Sequence, residues 1–297
     1  MSALRIGSRG SQLALWQANH IAAALRSLGH NVSIEIIRTT GDRLQDAAFR
    51  AANPEAEDGK GIFIKEIEEA LAAGTIDLAV HSLKDLPTEL TAQFAIAAIP
   101  QRVDARDVLV TADGRTLLEL PANARVGTTS PRRQTQLLDM RDDLQFVARR
   151  GNVDTRLRKL AEGQADALVL AAAGLERLEL TRQISQRFAV TEVCPAPGQG
   201  ALAIECRADD AATKSLLAPL DDDATRYAVT AERAALHALG GGCAVPIGIF
   251  CETGRGGCTL HGARSVGTEL IRREVAVAAG VPAAEAGLFI ADALREG

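Results

Sequence analysis

The chain has 297 residues, about twice the roughly 150 residues of one ordinary domain, so two or three packed units are expected. Hydrophobic residues make up 47% and charged residues 24%, a globular composition, and no apolar run approaches the ~18 residues of a membrane span. A net charge of −5 and only 3% aromatics argue against a nucleic-acid surface, which needs basic patches and stacking platforms.

The chain opens as strand, helix, strand. Leu4 to Ser8 is short and apolar, and Ser11 is placed to cap a helix to about Leu28. Leu13, Trp16, Ile21, Leu25 and Leu28 fall near one face of it, with Gly29 as the stop. Val32 to Ile37 alternates as a strand does. From Asp42 to Gly61 the periodicity is lost, and a stretch of that length predicts a lid or binding loop. Ile62 to Ala73 reads as helix, and Ile76 to Val80 as a buried strand running into His81-Ser82-Leu83-Lys84-Asp85. Two echoes follow. Arg5-Ile6-Gly7-Ser8 resembles Arg125-Val126-Gly127-Thr128, and Gly74-x-x-Asp77 resembles Gly163-x-x-Asp166. Their common order predicts two similar α/β lobes with mostly parallel sheets, binding ligands in a cleft beyond the strands' carboxyl ends. Asp222 to Leu239 reads as a helix ending in three glycines. Strand runs near 245–252, 258–266 and 270–278 and a helix from Pro282 through Leu294 then predict a small antiparallel α+β domain. The expected division is 1–100 with 198–218 for the first lobe, 101–197 for the second, and 219–297 for the last domain.

The basic residues are unevenly chosen: of 33, only five are lysines. Arginine suits planar, bidentate recognition of carboxylate or phosphate. Ser130-Pro131-Arg132-Arg133 combines a cap residue, a proline suited to the first helical position and two arginines, the pattern of an anion receptor at a helix N-terminus. A capped surface helix with solvated arginines explains it equally well. Arg150-Gly151-Asn152 leads into another helix, with Arg156 read in its first turn, where a cation opposes the helix dipole by ~0.3–1 kcal/mol and so implies a bound anion. Arg9 and Arg177 follow strands on the side expected to bind ligand. Asp85, just past a buried strand, is either a structural ion-pair partner or a base and counter-charge held where water is limited.

Five cysteines, an odd number in a long chain, are no disulfide framework and point to a reducing, cytoplasmic compartment. The opening MSALRIGSRG has no basic-then-apolar leader. Cys194, Cys206, Cys251 and Cys258 read as inert core residues. Cys243, in Gly240-Gly241-Gly242-Cys243, lies in a loop open to close approach, as a nucleophile, metal ligand or attachment point. The spacing of Cys258 and His261 and the lack of a C-x-x-C argue against zinc, and no metal site is expected.

Eight ordered segments carry a resemblance: GSRGSQLALWQ, DGKGIFIKEIE, DLAVHSLKDLPT, VGTTSPRRQTQL, RGNVDTRLRKL, AAAGLERL, PAPGQGALAIECR and LGGGCAVPIG. Together they resemble the porphobilinogen deaminase (hydroxymethylbilane synthase) family from residue 4 to about 248. The resemblance implies a transferase that joins four porphobilinogen molecules into linear hydroxymethylbilane and releases ammonia. It implies two periplasmic-binding-protein-like (type II) α/β lobes plus the small C-terminal antiparallel α+β domain. It implies a dipyrromethane cofactor attached through Cys243, with Asp85 as catalytic carboxylate. By the same resemblance Lys84, Asp85, Thr128, Ser130, Arg132, Arg133, Arg156 and Gly174 contact the cofactor, and Arg9, Ser11, Lys60, Ser82, Arg150, Asn152, Arg156, Arg177 and Gln199 contact substrate. A cytoplasmic monomer without nucleic-acid or membrane partners is expected. An anion-binding protein without chemistry and a thiol hydrolase are the alternatives, each leaving Cys243 without a cofactor.

Overall fold

The computed structural model describes residues 3–43, 64–148, 151–241, 245–267 and 269–296. Packing divides the chain into two compact units, Met1–Gln101 with Leu202–Asp222 and Arg102–Ala201 with Asp223–Gly297.

In the first unit, strands β1 (Ala3–Ser8), β2 (Asn31–Ile36), β3 (Leu78–Ser82), β4 (Phe94–Ala98) and β10 (Leu202–Arg207) form one sheet in the order β2-β1-β3-β10-β4. The first three are parallel, and β10 runs antiparallel to both neighbours. In the second unit, β5 (Asp107–Val110), β6 (Arg125–Gly127), β7 (Gln145–Val147), β8 (Ala167–Ala171) and β9 (Gln186–Arg187) follow the order β7-β6-β8-β5-β9 with the same directions. The two sheets therefore share one topology, with β5 in the place of β10.

The sequence echoes are two halves of one interaction, made twice. Arg5 forms a two-point ion pair with Asp77 (2.8 and 3.1 Å) and donates to the Gly74 carbonyl (2.7 Å). Arg125 does the same with Asp166 (2.9 and 3.2 Å) and Gly163 (3.0 Å). Each aspartate also accepts the backbone N–H of its arginine, so β1 is tied to the turn leading into β3, and β6 to the turn leading into β8. With both arginines 43% exposed, solvent screens each pair, which chiefly fixes register.

Helix α1 (Gln12–Ser27) packs on the first sheet through Ala18, Ile21, Ala22 and Leu25, all buried with Leu4, Ile6, Leu78, Val80 and Ile204. The buried stripe differs from the expected one: Leu28 is exposed and closes the helix, and two alanines take the place of larger residues because the helix lies close to the sheet. Burial of a side chain such as Leu25 stabilises by about 1.5–3 kcal/mol. Single-turn α2 (Thr40–Arg43) and helix α3 (Lys65–Ala72) flank the part of the predicted lid that lies outside the described residues.

The second unit adds helices α4 (Pro131–Met140), α5 (Val153–Ala161) and α6 (Ala172–Arg177) to its five-stranded sheet. After α7 (Ala211–Leu217) of the first unit, α8 (Asp223–Ala238) leads to the meander β11 (Ile247–Gly254), β12 (Gly257–Val266) and β13 (Glu269–Ala278), and α9 (Ala283–Arg295) closes it. This is the expected C-terminal antiparallel α+β arrangement. Gly287 lets α9 approach α8: a Cβ there would lie 2.2 Å from the Ala231 carbonyl. The meander is joined to the second lobe through Glu232, fully buried on α8. Its carboxylate accepts from both Arg102 Nη groups (2.6 and 3.1 Å) and from the N–H groups of Gly198 (2.7 Å) and Cys251 (2.9 Å). Four bonds compensate the desolvation of that charge; removing one partner of such a pair costs about 3–5 kcal/mol. Because each of the three sheets has its own buried cluster, we propose the three-domain division given above, the last two domains packing as one unit.

Candidate active site

Parallel neighbours end on the same edge of a sheet, and α/β sheets bind ligands there. In the first unit that edge is formed by the ends of β1 and β3. Arg9 follows β1, is half-buried and bonds Asp42 through Nη2 (2.5 Å) and Nε (3.0 Å). Burial alone would raise the Asp42 pKa, but Arg9 and Thr39 hold it below the usual carboxylate range. Ser11 is the α1 cap, accepting from the Ala14 N–H (3.3 Å). At the end of β3, Ser82 Oγ accepts from the buried Gln17 amide (2.9 Å). Half-buried Lys84 and exposed Asp85 then occupy a 3-10 turn, Leu83–Asp85, anchored by fully buried Leu83.

Asp85 is exposed, and its carboxylate has no hydrogen-bond or ion-pair partner among the described residues. Among the described residues, then, no structural ion pair holds Asp85, and its side chain is exposed rather than held where water is limited. The acid stands on a turn whose backbone is fixed by a buried leucine and by the strand before it.

In the second unit the corresponding edge is formed by β6, β7 and β8. Thr128 follows β6, is buried, and its Oγ1 accepts from the Ser130 N–H (3.2 Å). Ser130 occupies the cap position of α4 with Pro131 next, as expected, but its hydroxyl makes no capping bond. Arg132 and Arg133 are buried, which overturns the reading of a surface helix with solvated arginines. They share an internal carboxylate, Asp107, at the start of β5. Arg132 Nη1 donates to Asp107 (2.7 Å) and to the Cys194 carbonyl (2.6 Å). Arg133 donates to Asp107 from Nε (3.0 Å) and Nη2 (2.7 Å), and from Nη1 to the Val169 carbonyl (3.0 Å). Burial pushes the Asp107 pKa upward, yet the two arginine charges and their hydrogen bonds outweigh it and hold the group far below the usual range.

Gln199 has no exposed surface, and its amide donates to Asp107 (2.9 Å) and the Ala105 carbonyl (2.7 Å). It supports the arginine cluster and has no open face for substrate, contrary to expectation. Arg177 is buried on α6 and donates to the Gly200 carbonyl (2.8 Å); burial pulls its pKa down to about 10. Gly174 lies half-buried one turn earlier on the same short helix. Asn152 occupies the cap position of α5 without a side-chain bond, and half-buried Arg156 donates from Nε to the Gly151 carbonyl (2.8 Å). The first turn of α5 carries Arg156, as expected, together with Asp154, which offsets its charge there, while Arg158 and Lys159 fall favourably in the last turn. Cys243, Lys60 and Arg150 lie outside the described residues.

The structure thus gathers Arg132, Arg133 and Gln199 around one carboxylate, links Thr128 to Ser130, and leaves Asp85 open on a rigid turn. Asp107 was missed by sequence reasoning. Its signal was an acid opening an otherwise wholly apolar strand, Asp107-Val108-Leu109-Val110, which demands a buried cation nearby.

Two family models cover most of the chain: the dipyrromethane cofactor binding domain of porphobilinogen deaminase over residues 4–215, and the C-terminal domain of the same enzyme over 226–286. The chain belongs to the porphobilinogen deaminase family. The porphobilinogen deaminase of Brevibacillus brevis is 46% identical over 311 aligned positions, covering 100% of this chain and 99% of that one. The porphobilinogen deaminase of Roseiflexus sp. is 53% identical over 251, covering 84% and 81%. Among solved structures, a periplasmic binding protein of Salmonella typhimurium with high arginine specificity matches with a TM-score of 0.42 at 14% identity, covering 76% of this chain and 94% of that one. Membership of the porphobilinogen deaminase family makes the chain a transferase of tetrapyrrole biosynthesis that acts on porphobilinogen and carries the family's dipyrromethane-binding domain. No helix among the described residues is long and apolar enough to cross a membrane.

Proposed function

We propose that this chain condenses four porphobilinogen molecules head to tail into hydroxymethylbilane, with Asp85 as the catalytic carboxylate and Cys243 as the point of covalent cofactor attachment. The observation that carries the reading is Asp85 itself, a carboxylate with no partner among the described residues on a rigid strand-end turn, in a chain whose other strand-edge acids, Asp42 and Asp107, are paired with arginine.

The donor set suits a group bearing acetate and propionate arms. Arg132 Nε and Nη2 make no bond among the described residues, and the Ser130 hydroxyl is unused at a helix N-terminus, where N–H groups and the dipole favour an anion. When bound, dipyrromethane supplies the tethered pyrrole that starts the chain and keeps later attacks intramolecular. Arg132, Thr128, Ser130, Arg156, Gly174 and Lys84 hold it, with Arg133 and Gln199 bracing Arg132 through Asp107. Arg9, Ser11, Ser82, Asn152, Arg177, Lys60 and Arg150 serve the carboxylates of incoming substrate. Every porphobilinogen brings two carboxylates, which explains so many planar, bidentate donors.

Asp85 does three things for the substrate. Its carboxylate accepts the pyrrole N–H, it stabilises the positive charge that develops as ammonia leaves the aminomethyl arm, and it takes the proton released when rings join. The enzyme works as a cytoplasmic monomer. The test follows porphobilinogen consumption, ammonia release and product by Ehrlich's aldehyde and mass spectrometry. One ammonia per porphobilinogen and a linear tetrapyrrole product support the reading; tight binding without ammonia release contradicts it.

A further inference from the structure

A carboxylate at the head of β5 has no obvious reason to be there. Val108, Leu109 and Val110 are fully buried, and Asp107 shares their burial, so an apolar residue would fill the position without the several kcal/mol that a buried ion costs. The strand direction gives the reason. β5 is antiparallel to β8, with Asp107 opposite Ala171, so its first residue lies on the edge where the parallel strands end. Asp107 is the internal anion of the ligand edge.

Its two arginine partners are treated differently. All three nitrogens of Arg133 are engaged, two on Asp107 and one on Val169, leaving that guanidinium neutralised and clamped. Arg132 gives only Nη1 to Asp107 and Cys194. Its Nε and Nη2, the edge that meets a carboxylate with two parallel bonds, find no acceptor among the described residues; side-chain exposure is small for both arginines, 6% for Arg132 and 9% for Arg133, so the difference between them lies in bonding. One carboxylate against two guanidiniums leaves the cluster one positive charge in excess. Gln199 braces it from a fourth direction by donating to the same Asp107 oxygen that Arg133 uses.

Resting on the function proposed above, we infer that Asp107 is a positioning residue: it neutralises and clamps Arg133 and aims the free edge of Arg132, so that the pair receives one ligand carboxylate rather than two. Arg133 then acts through Asp107 and does not itself touch the ligand.

Two double variants with the same net charge test this. Asp107→Leu/Arg133→Met keeps Arg132, and Asp107→Leu/Arg132→Met keeps Arg133; each replaces a buried ion pair by apolar side chains, an exchange proteins often tolerate. Intact mass reads cofactor loading, and porphobilinogen kinetics read KM apart from kcat. The expected result is a KM about tenfold or more lower, and a larger loaded fraction, in the variant that keeps Arg132, the size of one charge-assisted contact. Equal behaviour of the two doubles, both loaded with similar KM or both empty, overturns the inference. Asp107→Asn, which frees Arg132 Nη1 while keeping side-chain size, raises KM more than it lowers kcat; Asp107→Asn with wild-type loading and wild-type KM also overturns it. A wild-type chain that carries no adduct and consumes no porphobilinogen refutes the functional reading instead, so the two failures are distinguishable.

Discussion

Replacing Asp85 by alanine separates chemistry from structure more cleanly than any other single change. Asp85 is exposed and makes no hydrogen bond or ion pair with the described residues, so its removal breaks no contact that stabilises the fold. Exposed substitutions of that kind fall within about 0.5 kcal/mol of wild type. At about 2–4 °C per kcal/mol for a chain of this size class, the melting temperature moves by less than about 2 °C. Turnover is a different matter, since a positioned acid or base contributes about 10²- to 10⁴-fold. Melting is read by scanning fluorimetry, loading by intact mass, and turnover by ammonia release from porphobilinogen. Asp85→Asn, which keeps an acceptor oxygen but neither the charge nor the proton affinity, loses nearly as much turnover. A drop of several degrees in melting temperature would show that the open turn is a structural element after all. Turnover within about threefold of wild type in Asp85→Ala would refute the catalytic assignment outright.

Gly151 holds a φ of +123°, and a Cβ there would come within 2.9 Å of the Thr155 side chain. Gly151→Ala therefore costs about 1–3 kcal/mol and, by shifting the carbonyl that Arg156 bonds, raises KM for porphobilinogen; an unchanged KM would separate Arg156 from substrate. Cys194, Cys206, Cys251 and Cys258 are free and buried, and burial pushes the thiol of Cys194 up to about 12 and those of Cys206 and Cys251 upward. Iodoacetamide at pH 8 leaves all four unmodified in the native protein and reaches all four in denaturant, counted by peptide mass; rapid native labelling of any of them contradicts the packing. On the acid side, Asp42, Asp77, Asp107 and Asp210 all have folded pKa values lowered by their partners despite burial. A lowered folded value gives stability that is complete above the unfolded carboxylate pKa of about 3.9 and is lost as pH falls through the folded values. The melting temperature is thus flat from pH 7 to about 5 and falls steeply below about 4, and a steady decline beginning near pH 6 would require another titrating group.

The lobes were legible because they rest on local signals. Apolar strands between turn residues, and the paired fragments around Arg5, Asp77, Arg125 and Asp166, report register directly. The C-terminal meander was legible for the same reason, its β11–β12 turn marked by glycines. The α1 stripe was read too coarsely, since periodicity counts large apolar residues and misses that Ala18 and Ala22 set the distance to the sheet. The site was legible in residue type and in place along the chain, but not in partnership. Nothing local to Arg132 or Arg133 announces a carboxylate 25 or 26 positions earlier, nor does Arg9 announce Asp42. Charge partners across a fold are set by strand order, and β5 lies beside β8 only because the chain inserts an antiparallel strand there. Arg156 was read correctly into the first turn of its helix, which begins at Val153, but the reading did not weigh Asp154, which shares that turn and offsets its charge.

The central claim is that this chain does chemistry on a pyrrole chain it holds covalently. Intact-mass measurement of the purified wild-type protein, followed by peptide mapping, tests it most directly. The account predicts a mass increase of two porphobilinogen units less two molecules of ammonia, localised to Cys243, and its absence in Cys243→Ser. A wild-type protein at its bare sequence mass that nonetheless turns over porphobilinogen, or an adduct on another residue, would contradict it.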